Sequence, residues 1–206
     1  NMFWEDPSIR YARPIRWLVA LWGEDVLPFR FGSISTGRVT RGHRFMGDRQ
    51  LEITAPRNYM DILFANCVIV DPAKRREKML TSISVLEKEL GGKADLDPEL
   101  VEENLFLVEF PVPFSGNFDR AFLDIPQEVL TTSMKHHQKY FPVRDRAGNL
   151  MPHFIGISNN QATSMNTVRE GNERVLRARL SDADFFWKED QKKNLAEKVD
   201  DLKAVV

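Results

Sequence analysis

The most unusual polar cluster in the sequence is Ser133-Met134-Lys135-His136-His137-Gln138-Lys139-Tyr140-Phe141, where two adjacent histidines stand among lysines and an aromatic pair. An imidazole can move protons, ligate a metal or donate to a phosphate. Neighbouring side chains diverge on a helix and on a strand alike, so His136 and His137 cannot readily close on one ion. No Cys-x-x-Cys or His-x-x-x-His spacing accompanies them. No metal ligand set is therefore assigned. Lys135, His136, His137, Gln138, Lys139 and Tyr140 instead supply donors and an aromatic face, which suits phosphate and base contacts in RNA. A core Tyr140 and Phe141 with solvated neighbours accounts for the same residues.

Two further basic stretches invite the same reading. In Arg38-Val39-Thr40-Arg41-Gly42-His43-Arg44-Phe45, an extended chain puts Thr40, Gly42 and Arg44 on one face and Arg41, His43 and Phe45 on the other. Gly42 would let a phosphate or another backbone come close. An edge strand guarded by charge is the plainer account. In Glu173-Arg174-Val175-Leu176-Arg177-Ala178-Arg179-Leu180-Ser181-Asp182-Ala183, helical spacing buries Val175, Leu176, Leu180, Ala183 and Trp187 and leaves Arg174, Arg177 and Ser181 as an adjoining row. Glu170 with Arg174 and Glu173 with Arg177 are expected as local pairs. Arg179 has no acid four residues before it, so its guanidinium is open to a partner. The candidate RNA contacts are thus Arg41, His43, Arg44, His136, His137, Lys139, Tyr140, Arg177 and Arg179.

No catalytic residue is assigned. The sequence has no G-x-x-x-x-G-K-[ST], no G-x-S-x-G and no H-E-x-x-H, and no G-x-G-x-x-G follows a strand. Its one cysteine, Cys67, lies in an apolar run, the setting of a buried and inert thiol. One cysteine makes no internal disulfide, which fits a reducing cytosol.

Composition bounds these readings. The 206 residues are 42% apolar and 29% charged, with 29 Lys and Arg against 30 Asp and Glu and a formal net charge of -1. That excludes a disordered charged tail and a polyelectrolyte that holds nucleic acid by bulk attraction, so any such contact comes from local patches. No apolar run approaches the roughly 20 residues that cross a bilayer. Neither end resembles a natural terminus, and the sequence reads as an excised fragment.

The elements that must position these residues follow from pattern and punctuation. Tyr11 to Leu21 is expected to be helical. Val26 to Ile34 is expected to be a strand paired with Arg38 to Phe45 across Ser35-Thr36-Gly37, with Leu51-Glu52-Ile53 a further short strand. A helix opens at Pro56, and Cys67 to Val70 reads as a buried strand. Asp71-Pro72 and Asp97-Pro98 each start a helix, the first ending at Gly91-Gly92. A short helix follows Pro126. Tyr140–Val143 and Leu150–Ser158 form a hairpin across Asp145-Arg146-Ala147-Gly148. From about Thr163 the chain is helical, with a break near Gly171-Asn172. The expected class is α+β, with mixed or antiparallel sheets and packed helices. Residues 1–160 are expected as a core module and 161–206 as a helical segment leading to further domains.

Four blocks carry a resemblance: Arg13-Pro14-Ile15-Arg16-Trp17-Leu18-Val19-Ala20-Leu21, Thr40 to Phe45, His137 to Phe141 and Gly171 to Ala183. Together, in this order, they resemble the beta subunit of bacterial glycyl-tRNA synthetases of the heterotetrameric type. The resemblance implies an N-terminal to middle part of that subunit, without its HD-type and anticodon-binding domains. It implies a glycine–tRNA ligase whose alpha subunit binds glycine, ATP and Mg, with no cofactor in this fragment. It also implies partners in the alpha subunit, tRNA(Gly) and the remaining beta-subunit domains, with no membrane, in the cytoplasm. By the same resemblance the fold is similar to the editing-type module of the phenylalanyl-tRNA synthetase beta subunit. Three roles stay open: an accessory tRNA-facing or scaffolding module, an editing domain hydrolysing mischarged tRNA, and a non-catalytic RNA-binding module of another protein.

Overall fold

The computed structural model describes residues 2–3, 10–11, 15–161, 164–192, 196 and 199. The chain divides into two compact units, residues 1–75 and 76–206. The class is α+β, with several small sheets, mostly antiparallel, and five α-helices among the described residues. Among the described residues, no helix is long and apolar enough to cross a membrane.

The first unit is built from strands only two to four residues long: β1 (Met2–Phe3), β2 (Arg10–Tyr11), β3 (Leu18–Val19), β4 (Leu21–Trp22), β5 (Asp25–Val26), β6 (Arg30–Phe31), β7 (Ile34–Gly37), β8 (Val39–Thr40) and β9 (Leu51–Glu52). β7 pairs with β3 in parallel and with β6 antiparallel, while β1–β2, β4–β5 and β8–β9 are antiparallel pairs. The helix expected up to Leu21 does not form over residues 15–21, and Tyr11 lies in β2; residues 12–14 of that helix lie outside the described residues. Leu18 and Val19 pair with Thr36 and Gly37, and Leu21 and Trp22 turn back on Val26 and Asp25 through Gly23 at φ +61. Cross-strand hydrogen bonding there overrides a helical spacing of apolar residues. The second expected hairpin is also displaced. Its turn is at Gly32, φ +60, so Ser35-Thr36-Gly37 lies within a strand, and residues 41–47 leave the extended path altogether.

A turn beginning at Pro56 leads into α1 (Tyr59–Ala65), as expected. Cys67 to Val70 is not a strand. Cys67 takes φ +58, its N–H donates to Phe64 O at 3.1 Å, and the Val68 N–H donates to Leu63 O at 2.9 Å. These two bonds close the C-terminus of α1 in a Schellman arrangement, which redirects the β-branched run. Cys67 itself is half-buried.

Helix α2 (Pro72–Leu90) starts where Asp71 Oδ1 accepts the Ala73 N–H at 2.8 Å, and it ends at Gly91, φ +69. After β10 (Lys93–Ala94), helix α3 (Pro98–Leu107) is capped by Asp97 Oδ1, which accepts from the Glu99 and Leu100 N–H groups. Then follow β11 (Val112–Asn117), α4 (Gln127–Thr132), β12 (Phe141–Arg144), β13 (Leu150–Ser158) and α5 (Met165–Asp190). The β12–β13 turn is the expected one: Asp145 Oδ1 accepts from the Ala147 and Asn149 N–H groups, and Gly148 takes φ +87.

Among the described residues of the second unit, four strands form one antiparallel sheet in the order β10-β12-β13-β11, with a core on each face. Leu150 and Phe154 of β13 join Phe114, Leu130, Met134, Tyr140, Leu176 and Leu180. The alternate residues Met151, Ile155 and Ile157 join Met79, Ile83, Leu100, Leu105, Phe141 and Val143. Coverage on both faces explains why β13 reads as a nearly continuous apolar run rather than an alternating one. Helix α5 is unbroken at Gly171 and buries Leu176 and Leu180 in the first of these cores. Packing therefore divides the chain at 75/76, whereas the sequence pattern places the division near 160.

Candidate nucleic-acid interface

In the second unit, α4 widens into a π-helical turn over Ser133–His137, closed by the Tyr140 N–H donating to Met134 O at 3.0 Å. The wider turn keeps Met134 fully buried and leaves His136 and His137 exposed. Lys139 then takes φ +59, a left-handed conformation that costs a non-glycine residue about 1–2 kcal/mol. Buried Asn104 holds it there, its Nδ2 donating to Leu100 O at 2.9 Å and to Lys139 O at 3.1 Å.

The lysines of this cluster already have acidic partners. Lys135 Nζ lies 3.1 Å from Asp95 and 3.8 Å from Asp97, and Lys139 Nζ lies 2.9 Å from Glu103. The Leu100 and Glu99 N–H groups, with a smaller contribution from Lys135, hold the Asp97 carboxyl below its usual range. Lys139 is therefore a tied cation rather than an open phosphate contact.

Tyr140 is a clearer correction. It is buried, stacked on Phe154 with ring centroids 4.5 Å apart, and its hydroxyl donates to Asn172 Oδ1. It offers no face to a base. Burial pushes its hydroxyl up to about 12, whereas in the unfolded chain a tyrosine ionises near 10. Above pH 10 the unfolded state therefore loses this proton first. The contribution is complete below pH 10 and declines as the pH rises toward 12. Between pH 9 and pH 11 the urea midpoint is expected to fall further for the parent chain than for Tyr140→Phe.

On α5, Arg177 and Arg179 are exposed. Among the described residues, neither has an acidic partner within 4.0 Å. The expected Glu173–Arg177 pair is absent because Glu173 Oε1 accepts the Asn117 N–H at 2.8 Å, which ties α5 to the sheet. Val175, expected in the buried stripe, is 46% exposed. His137 and Arg179 meet across a groove of about 540 Å³, also lined by Ser133, Asp182 and Phe186. On its other side, His137 borders a cavity of about 350 Å³ with Gln138, Lys139, Tyr140, Ser158 and Asn172.

In the first unit, residues 41–48 form a loop wrapped around Asn66. The Gly42 N–H donates to Asp48 O at 2.8 Å, the His43 N–H to Asn66 O at 2.9 Å, and the Asp48 N–H to Asn66 Oδ1 at 3.1 Å. The close neighbour that Gly42 admits is Asn66, whose Cβ would lie 2.6 Å from a Cβ at that position. His43 is 1% exposed and cannot reach an outside partner. Its Nδ1 accepts from the Phe45 and Met46 N–H groups, so its role is to fold the loop. Arg41 and Arg44 remain exposed, Arg44 lying 5.5 Å from the Phe45 ring centroid.

Sequence reasoning missed Trp17 and Arg49. Trp17 donates from Nε1 to Thr40 Oγ1 at 3.1 Å and carries Arg41 at 4.8 Å from its ring centroid. With Val39, Arg49 and Gln50 they line a groove of about 350 Å³. The available signal is an aromatic residue beside basic Arg16, in a block whose helical spacing makes an indole look like core.

A family model described as "Glycyl-tRNA synthetase beta subunit" matches residues 1–206. The chain is 45% identical over 206 residues to a protein named glycine–tRNA ligase beta subunit from Bacillus subtilis (strain 168), and 45% identical to the protein so named from Syntrophotalea carbinolica; both matches cover 100% of this chain and 30% of the relative. The relative of that name from Streptococcus pyogenes serotype M12 is 46% identical over 205 residues, at the same coverage. The chain thus spans about 30% of the length of the curated relatives it matches.

Proposed function

This chain belongs to the glycyl-tRNA synthetase beta subunit family, and from that premise we propose that it is an accessory, tRNA-facing module of glycine–tRNA ligase. In this reading the ATP- and Mg-dependent activation of glycine takes place on the alpha subunit. The beta subunit, of which these residues are one part, engages tRNA(Gly) in the cytoplasm and supports transfer of glycine to it. The observation that carries the proposal is the family match across all 206 residues. The exposed arginines on α5 in the second unit and, separately, those beside Trp17 in the first support contacts to phosphate, because each is a guanidinium able to form bidentate bonds.

The test is charge reversal in the intact two-subunit enzyme. Arg177→Glu with Arg179→Glu is expected to weaken tRNA(Gly) binding and to flatten the dependence of log affinity on log salt by about 1 for each phosphate no longer neutralised. An unchanged slope would overturn the tRNA-facing role.

A second reading, hydrolytic editing, would rest on the fold similarity to an editing-type module that the sequence resemblance implies, together with the cavity beside His137. The polar groups there are largely committed to the fold. Tyr140 and Asn172 bond to each other, and Ser158 Oγ donates to Asn160 O at 2.8 Å and accepts the Asn160 N–H at 3.0 Å. The Ser158 hydroxyl is thus engaged with the Asn160 backbone, and among the described residues it makes no hydrogen bond to an imidazole or carboxylate that would activate it. The accessory role therefore predicts that a His137→Ala enzyme and its parent leave mischarged tRNA equally stable. Deacylation that disappears with His137 would favour editing.

A further inference from the structure

The groove at Trp17 has a composition that the tRNA-facing reading does not by itself specify. One wall is an indole, 40% exposed as a residue and pinned at its Nε1 by buried Thr40. The others are Arg41, Arg49, Gln50 and Val39. Arg41 and Arg49 are exposed, and among the described residues neither has an acidic partner within 4.0 Å. Two other large exposed aromatics that line grooves, Phe106 and Phe186, have carboxylates beside them: Glu99, Glu102 and Glu103 for the first, Glu128 and Asp182 for the second. Among the described residues, the Trp17 groove has no acidic wall. A flat ring held at a fixed angle, two unneutralised guanidinium groups and a planar amide are the parts that bind one unpaired nucleotide. The ring stacks on any base, the guanidiniums pair with phosphate, and the amide reads a base edge. The groove's volume, about 350 Å³, admits a ligand of that size.

We infer that this groove seats a single unpaired nucleotide of the bound RNA, its base on Trp17 and its phosphates on Arg41 and Arg49; the inference rests on the tRNA-facing reading above. A partner peptide is disfavoured by the same observation, since apart from Val39 the groove offers no aliphatic pocket for an anchor side chain. The guanidinium that now covers the ring is close enough to move from the indole to a phosphate while the base takes its place.

The test uses the intact two-subunit enzyme and tRNA(Gly) substituted with a photoreactive thiolated base. Irradiation is expected to join the RNA to the peptide that contains Trp17. Trp17→Ala is expected to lower tRNA affinity about tenfold, while Trp17→Phe, which keeps a stacking face, retains most of it. Arg49→Gln, an exposed substitution, is expected to flatten the salt slope by about 1. Should Trp17→Ala fail to fold, the cross-link on the parent enzyme and Arg49→Gln decide the matter. No cross-link at Trp17, together with an unchanged slope for Arg49→Gln, overturns the nucleotide seat. So does a cross-link that maps to other peptides of the enzyme and never to the one that contains Trp17. If the α5 double reversal still alters tRNA binding in those cases, the tRNA-facing reading survives without the seat. If it does not, both fall.

Discussion

Phe154→Ala is expected to destabilise the second unit by about 3–5 kcal/mol, the range for removing a buried aromatic side chain. Phe154 is fully buried and stacks on Tyr140, and Phe114 meets it edge-on at 6.3 Å. What pushes the expectation to the upper part of the range lies beneath the ring. Gly116 is its cross-strand partner, and a Cβ built there would lie 2.4 Å from Phe154 Cζ. The arrangement is reciprocal, for Phe114 covers Gly156 in the same way, at 2.5 Å. With glycine beneath the ring, nothing from the sheet can fill the void, which opens below Tyr140 and Phe114. Urea unfolding followed by the fluorescence of Trp187 on α5, with Trp4, Trp17 and Trp22 replaced by Phe in both proteins compared, measures the effect. A second readout follows from Tyr140: with its stacking partner gone and water admitted, its hydroxyl should ionise closer to 10 than to 12. A destabilisation under about 1 kcal/mol, well below the range for a buried aromatic, would mean that the aromatic layer is not packed as described.

The parts of this fold that are legible in the sequence are those whose cause lies within a few residues. Asp71-Pro72, Asp97-Pro98, Gly91 and the Asp145 to Gly148 turn each supply their own hydrogen bonds or backbone angle, and each stands where the sequence pattern puts it. The strands of the first unit are illegible for the opposite reason. Two-residue segments such as Leu18–Val19 exist only because Thr36 and Gly37 pair with them, a partnership nothing local encodes. Cys67 to Val70 has strand composition, yet it serves to close a helix because the C-terminal cap of α1 claims its N–H groups first.

The same distinction governs the candidate site. His136, His137, Arg177 and Arg179 are exposed, as an RNA-facing role requires. His43 and Tyr140 have the right chemistry but lie in the wrong solvent environment, and burial depends on the whole fold. Lys139 finds its counter-ion in Glu103, a neighbour in space that its sequence spacing does not suggest. Glu173, spaced to pair with Arg177, bonds instead to the backbone of Asn117. Trp17 and Arg49 become one site only when β8 and the loop after it bring them together.

That dependence gives the second large effect, at Gly47. A Cβ at this position would lie 2.4 Å from Asn66 O and 2.8 Å from the His43 nitrogen. Both obstacles are backbone, so no rotamer change relieves them. The loop would have to surrender the His43 N–H bond to Asn66 O, which is the bond that buries His43. Gly47→Ala is therefore expected to cost about 3 kcal/mol, at the top of the usual overpacking range. The damage should be local to the first unit, appearing as faster amide exchange at Gly42, His43 and Asp48 with little change in the β12–β13 amides. Because Arg41 is joined directly to this loop, tRNA affinity should fall as well. Gly171→Ala is the control. It too replaces a glycine with alanine, but in a helix interior with nothing within 4 Å of the new Cβ, and it should add about 0.5–1 kcal/mol of stability. If Gly47→Ala were as benign as Gly171→Ala, Asn66 would not be the peg around which the loop is built, and the placement of Arg41 beside Trp17 would need another cause.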